Sequence, residues 1–462
     1  MHLLQQRLPV LKKINSISIL VGVLSLILIG QYLFCHGMFV DGLVYGTLAR
    51  NYALAGEGWW DFWVYLGDPF HSHPPLAFWL QSLLFSVFGD FFWIDRLYSI
   101  FCLIVSLSLI KKLWQHLVPS FPQGAYWVQL LYLILPLVHW GFNNNVLENT
   151  SNCFILMSIW MYLLAQDHKQ YRYSIVAGLA VFAATLTKGP TGLFPLIFPL
   201  LYYKHPFKQI CWNTAIPILV LVLSWGMLIG SSTEAALFFS DYLDIQLVKS
   251  LSGEYGTVNR FLILEKLLLQ LVVLIPVGIG LRIFFKQKSQ HQAIQQQGWV
   301  FLFLGLSGSL PIMISPKQMS FYLLPSLIYF VVSFACFHLK QLEALDQIVQ
   351  KQKIIRWVGS FAIICLLGIT ISSYGSFSRD KEILHDTFIL GQLVSPNSFV
   401  KASDPIKKDW ALHAYSARYF QINIHFSPKR SPFQITTKGE LIPKGYLLVP
   451  QKTIRYNFYK KK

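Results

Sequence analysis

The feature that most constrains this chain is a succession of apolar runs, most of them near the length of a bilayer crossing, separated by short basic clusters. A helix rises about 1.5 Å per residue and the hydrocarbon core is about 30 Å thick, so roughly 20 apolar residues span it. Such runs cover residues 16–34, 97–113, 125–141, 149–165, 174–187, 191–203, 213–230, 262–284, 299–315, 320–338 and 357–374. Basic clusters lie between them at Lys111/Lys112, Lys169/Arg172, Lys204/Lys208, Arg282/Lys286/Lys288 and from Lys340 to Arg356. Lys and Arg accumulate in cytoplasmic loops. All these clusters share one side of the membrane only if a further apolar run, 75–92, does not cross.

The expected fold class is therefore an α-helical polytopic membrane protein. It has eleven transmembrane helices, an external juxtamembrane segment (35–96) and an external C-terminus. Within that segment, 75–92 lies in the outer interface or re-enters. Residues 16–34 follow Arg7, Lys12 and Lys13 with no small-x-small cleavage pattern, which predicts a retained first span with a cytoplasmic N-terminus. Residues 1–374 form the transmembrane domain. Residues 375–462, with charge and alternating stretches such as 420–426, form a small external α/β domain.

Composition supports this class. Only 13% of the 462 residues are charged, against about 25% in soluble globular proteins. That excludes an ordinary soluble enzyme, a disordered chain and a disulfide-stapled secreted domain. The net charge of +17 is dispersed among the loops, which is topology information and not a nucleic-acid footprint. The six cysteines show no C-x-x-C spacing.

One pair of runs is short. Fourteen residues, 174–187, reach only about 21 Å as a helix, so the Lys188-Gly189-Pro190 tip sits at or below the outer membrane surface. An ionisable residue held there marks a functional site. On this topology the outward-facing ionisable groups include Asp41, His71, His73, Arg96, Glu148, Lys188 and Lys317. Five of them have a plainer reading. Asp41 and Glu148 suit helix N-termini, His73 suits a polar cap for the helix opened by Pro74-Pro75, and Lys188 and Lys317 suit snorkelling lysines. Trp59, Trp60, Trp63, Tyr65 and Trp79 suit an interfacial belt. His71 and His73, two apart on an irregular segment, are weak evidence for a metal. Mixed carboxylates and isolated cations on one face also suit acid/base chemistry on a phosphate-bearing substrate.

In order along the chain these positions resemble the glycosyltransferase C superfamily, in its aminoarabinose-transferase and protein O-mannosyltransferase branch. The likeness runs through Asp41, Tyr45, Ala49 and Arg50; Pro74, Pro75, Leu76 and Trp79; Phe88, Gly89, Arg96 and Leu97. It continues through Glu148; Thr187, Lys188 and Gly189; and Lys317, Tyr322, Leu324 and Pro325. The chain departs from the pattern at Gly42, where the family commonly has Glu, at Ser72-His73 before the prolines, and at Val44.

The resemblance implies transfer of a sugar from a polyprenyl-phosphate donor to a lipid, glycan or protein acceptor, by inverting displacement. The setting implied is the outer face of a bacterial inner membrane, with site and C-terminus facing the periplasm or exterior. Asp41 would act as base or orient the acceptor hydroxyl. Glu148 would position a sugar, or with Asp41 hold a divalent cation, though no cofactor is obligatory. Lys188, His73, Arg96, Lys317 and Tyr322 would hold the donor phosphate, and Tyr45, His71 and Trp79 the substrate. No nucleic-acid partner is expected. A transporter or flippase for lipid-linked sugars is the alternative; it is disfavoured because the polar groups gather at one face and no inverted repeat is visible.

Overall fold

The computed structural model describes residues 15–56, 58–66, 68–202, 206–248, 259–286, 292–426 and 431–462. Seven helical runs among them are long and apolar enough to cross a membrane, and an eighth is the pair α5 (Ala125–Leu133) and α6 (Pro136–Asn143) with the 3-10 turn before it. That pair bends by 79°. The cause is Pro136, which lacks an N–H, and Leu135 before it, which is held extended.

The eleven expected spans also include α1 (Ser16–Leu28) and α7 (Leu147–His168), which length and hydropathy do not single out. In α7 the reason is a polar head. Glu148, Asn149, Thr150, Ser151 and Asn152 are all buried among neighbouring helices, so this span is solvated by protein and not by lipid.

The stretch 171–201 would pass for one long span. It is folded in two. α8 (Tyr171–Lys188) ends at Gly189 with φ +71°, and a 3-10 segment returns along it into the short α9 (Phe198–Leu201). The return is tight: a Cβ on Gly192 would lie 2.6 Å from the backbone nitrogen of Thr185. Phe198 meets the Tyr162 ring at 6.1 Å, deep along α7 and away from its Glu148 end. The hairpin therefore carries Lys188 at its tip.

The apolar run after residue 75 forms α3 (Leu76–Phe88), whose 13 residues reach about 20 Å, short of a bilayer core. α3 packs on α2 (Val40–Ala55), where Phe78 meets Tyr45 at 5.7 Å. α4 (Ile94–Leu117) then enters the bundle, followed after the hairpin by α10 (Phe207–Ile229) and the short α11 (Thr233–Tyr242). The remaining helices are α12 (Leu262–Leu271), α13 (Leu274–Phe284), α14 (Gln292–Ser309), α15 (Leu324–Phe337), α16 (Leu339–Lys351) and α17 (Lys353–Ser372).

After α17 the chain forms α18 (Lys381–Leu393), α19 (Trp410–Phe420) and a five-stranded sheet. The strands are β1 (Phe399–Ala402), β2 (Asn423–His425), β3 (Phe433–Thr437), β4 (Tyr446–Leu448) and β5 (Tyr456–Lys461), in the order β2-β1-β3-β5-β4. β1 runs parallel to β2 and β3, and β5 antiparallel to β3 and β4. The parallel β1–β2 pair needs a crossover, and α19 supplies it. The alternating stretch 420–426 is only partly strand, because Phe420 is still the last residue of α19. Buried Asp386 on α18 accepts from the backbone nitrogens of Ile454, Arg455 and Tyr456, fixing the approach to β5.

This unit does not close its core alone. Met38, just before α2, and Leu43, in its first turns, are packed into it with Leu384, Val400, Tyr415 and Phe458. α2 thus has one side in the C-terminal core and the other toward the hairpin tip.

Candidate active site

Helix ends, not helix middles, build the site. Asp41 lies in the first turn of α2 and Glu148 in the first turn of α7, where the helix dipole favours a carboxylate. Lys188 is the last residue of α8, where a cation is favoured. Lys317 lies in the turn between α14 and α15, its backbone nitrogen held by Ser315 Oγ at 3.2 Å. Gln318 braces that turn: its Oε1 accepts from Ile263 N and its Nε2 donates to the Arg260 carbonyl.

Lys188 Nζ lies 3.0 Å from Glu148 Oε1, with both side chains almost fully enclosed. The ammonium also lies 5.2 Å from the Tyr322 ring centre and 5.7 Å from that of Phe321, within cation–π range. Phe321 in turn stacks on Trp140 at 5.8 Å. The lysine is thus held by a carboxylate and two aromatic rings, an arrangement a snorkelling lysine does not need.

Asp41 faces the same space. Burial raises its carboxyl above the ordinary carboxylate range, and the charges of Lys188 and Lys317 pull it back part of the way. Among the described residues its carboxylate has no hydrogen-bond or ion-pair partner. Lys317 is lowered from the ordinary lysine value, first by burial and then by Lys188, with Asp41 opposing. His73 is held well below its usual value by burial and by the same two lysines, so it is a neutral imidazole. Tyr45 stands edge-on to His73 at 5.7 Å. Burial raises its phenol, as do the nearby charges of Asp41 and Glu148.

The structure brings together Asp41, Tyr45, His73, Glu148, Lys188, Lys317 and Tyr322. It does not bring the other three expected site residues to them. Arg96 is 4% exposed, and its guanidinium donates to the carbonyls of Cys35, Gly37 and Asn143 and to Ser378 Oγ. Four of its five N–H donors pin the chain before α2 to the C-terminal unit, which makes it a structural arginine and not a phosphate ligand. Arg50, Asp90 and Asp95, three further charges of the 35–96 segment, are similarly engaged. Arg418 of α19 bonds Asp95 and Asp90 at 2.8 Å each, and Arg50 donates to the carbonyls of Ala417 and Arg418. His71 and Trp79 point away from the lysines into a neighbouring cavity that also holds Trp59 and Trp60.

The departure at Gly42 has a steric cause. A Cβ there would lie 2.0 Å from the carbonyl oxygen of Asn144, so the larger side chain common in the resembled family has no room. Asn144 Oδ1 also accepts from Phe39 N at 2.7 Å. The close approach sets the first turn of α2 against the head of α7, and so sets Asp41 beside Glu148.

Sequence reading missed Tyr242, at the end of α11. A Cβ on Gly189 would lie 2.0 Å from its hydroxyl, so Tyr242 sits directly over the hairpin tip. No local pattern marks it, since the contact joins distant segments. Among the described residues no three His, Cys, Asp or Glu side chains converge as a metal site. A divalent cation on Asp41 and Glu148 would share Glu148 with Lys188, whose Nζ lies 3.0 Å from Oε1.

The family of dolichyl-phosphate-mannose-protein mannosyltransferases matches residues 72–230, about a third of the chain. No curated protein matches it. Among solved structures, ArnT from Cupriavidus metallidurans bound to undecaprenyl phosphate superimposes with a TM-score of 0.65 at 12% identity, covering 96% of this chain and 97% of that one. The apo state of the same protein gives a TM-score of 0.63 at 12% identity, covering 96% of each. Matched end to end in architecture, the chain has the glycosyltransferase C superfamily fold in the form that ArnT displays.

Proposed function

We propose that this chain transfers a sugar from a polyprenyl-phosphate donor to a hydroxyl-bearing acceptor at the outer face of a bacterial inner membrane. The observation that carries the reading is the grouping of an unpartnered carboxylate, Asp41, with two partly desolvated lysines, Lys188 and Lys317, at the tip of a short membrane hairpin. Undecaprenyl phosphate in ArnT, a protein of the same architecture, supports a lipid-phosphate donor.

In the proposed reaction Asp41 accepts the acceptor hydroxyl's proton as its oxygen attacks the anomeric carbon. The bond from that carbon to the phosphate oxygen breaks on the opposite face, and polyprenyl phosphate leaves with the electron pair. Configuration therefore inverts. Lys188 and Lys317 stabilise the negative charge on the leaving phosphate, where losing one such contact costs on the order of 10²–10³ in rate. Neutral His73 and Tyr322 supply hydrogen bonds. Glu148 holds Lys188 in place and compensates its charge before the donor arrives. Because lysines occupy the cation positions, the reaction proceeds without a divalent metal, and activity should survive chelator treatment.

The test is mass spectrometry of polyprenyl-phosphate-linked sugars in membranes carrying wild type or Asp41→Asn at matched levels. Wild type should deplete one species that the variant spares. Equal depletion by both would remove Asp41 from the chemistry and leave it a helix-terminal charge.

A further inference from the structure

Beside the lysine site lies a cavity of about 890 Å³ that the proposed chemistry does not use. It opens between the α2–α3 connection, α3 and the α10–α11 junction. Trp59, Trp60 and Trp79 form one wall, and Asp61, His71 and Glu234 supply polar groups. The indoles are braced. Trp79 stands edge-on to Trp59 at 6.0 Å and to Trp60 at 5.4 Å, and its Nε1 donates to the Trp59 carbonyl at 3.0 Å. His71 Nδ1 lies 2.7 Å from Asp241, and its ring packs 4.7 Å from Phe238.

Two physical features narrow what fits. The charged residues among the described lining are carboxylates, with no Lys or Arg, so the cavity repels a phosphate that the lysine site attracts. An isoprenoid tail is also a poor occupant, since it would strip water from His71 and Glu234 and return no hydrogen bond. A neutral sugar ring suits both walls. Its C–H faces pack against the electron-rich indole faces, and its hydroxyls donate to the carboxylates. α11 links the two sites: Glu234 in its first turn lines the cavity, and Tyr242 at its last lies over Gly189 beside Lys188.

We propose that this cavity seats the acceptor, and that the acceptor presents to it a phosphate-free, hydroxyl-rich saccharide. The proposal rests on the transferase reading above and names the substrate class that reading leaves open.

The test uses the full-length protein, fluorescently labelled and held in a sugar-free amine-oxide detergent, on an array of neutral saccharides and their phosphorylated counterparts. Thermal unfolding with and without undecaprenyl phosphate is measured on the same preparations. Neutral saccharides should be retained at least tenfold better than the phosphorylated ones. Glu234→Lys, at an exposed position, and Trp60→Ala should each lower that retention at least tenfold while leaving the undecaprenyl-phosphate shift as in wild type. The assignment is overturned if no saccharide is retained, if phosphorylated ones bind as well, or if Glu234→Lys binds like wild type. Loss of the undecaprenyl-phosphate shift in Trp60→Ala alone would overturn it too, by giving the cavity to the lipid tail. Absence of that shift in wild type would instead overturn the donor reading beneath it.

Discussion

At the scale of single residues the site is a balance of two carboxylates and two ammonium groups, and pH should report it. Asp41 must be ionised to accept a proton, and burial raises its pKa, so the rate climbs with pH through a value above the ordinary carboxylate range. Lys317 must be charged to hold phosphate, and its pKa is lowered, so the rate declines at a pH below the ordinary lysine value. The pH–rate curve of wild type should thus be narrowed from both sides. Lys317→Arg should move the alkaline limb upward, because a guanidinium stays charged. An unmoved alkaline limb would take Lys317 out of the phosphate site. Lys188→Met should cost on the order of 10²–10³ in turnover. It should also lower thermal stability by about 3–5 kcal/mol, since it strands buried Glu148 without its partner; the double variant with Glu148→Gln should recover the stability and not the rate. Lys188 was legible in the sequence because the apolar arms beside it are too short for an ordinary loop lysine. Arg96 was not legible as structural, since a sequence displays its charge and conceals the three carbonyls that consume it.

Among the elements, the folded hairpin is the most informative. Gly189 combines a φ of +71° with contact to the Tyr242 hydroxyl, so Gly189→Ala is strained in backbone and crowded in space. It should displace α11 from the tip, cost about 1–3 kcal/mol in unfolding free energy and reduce sugar transfer. Normal transfer by this variant would show that the Tyr242 contact is dispensable. The hairpin and the short α3 were readable from length arithmetic together with where the basic residues fall. α7 was harder to weigh, because five consecutive buried polar residues make its head look unlike a span, and only the neighbouring helices explain how they are accommodated. Strand limits in the C-terminal unit were blurred for a local reason: the alternation that marks β2 begins at Phe420, which is still the last residue of α19.

For the whole molecule, the C-terminal unit and the site are joined by one run of buried polar contacts. Arg418 Nε bonds Asp95, Gln81 donates to the same carboxylate at 2.9 Å, Asn145 donates to Gln81 at 3.1 Å and to the Gly42 carbonyl at 3.3 Å. Asp41 is the next residue back. Arg418→Leu should leave buried Asp95 without its counter-ion and with only the Gln81 hydrogen bond, costing about 3–5 kcal/mol, and should make the C-terminal unit more readily cleaved by protease. If resistance to cleavage is unchanged, the unit is held by its shared apolar core with Met38 and Leu43 and not by this network. A boundary at residue 375 could be drawn from composition, but the dependence of that unit on α2 rests on contacts between residues more than 300 positions apart, which no local pattern encodes. The hairpin carries a last consequence. Its first arm of 18 residues reaches about 27 Å, slightly less than the roughly 30 Å of the hydrocarbon core, so the long side chain of its terminal lysine would have to reach up toward the headgroup phosphates. In the proposed reaction a donor delivered by lateral diffusion would react without being lifted toward water, sparing about 0.8 kcal/mol for every methylene left in the bilayer. A transferase working in that way would be fed in two dimensions, by the abundance of carrier within its own leaflet, and an activated sugar dissolved in the surrounding water would pass it by.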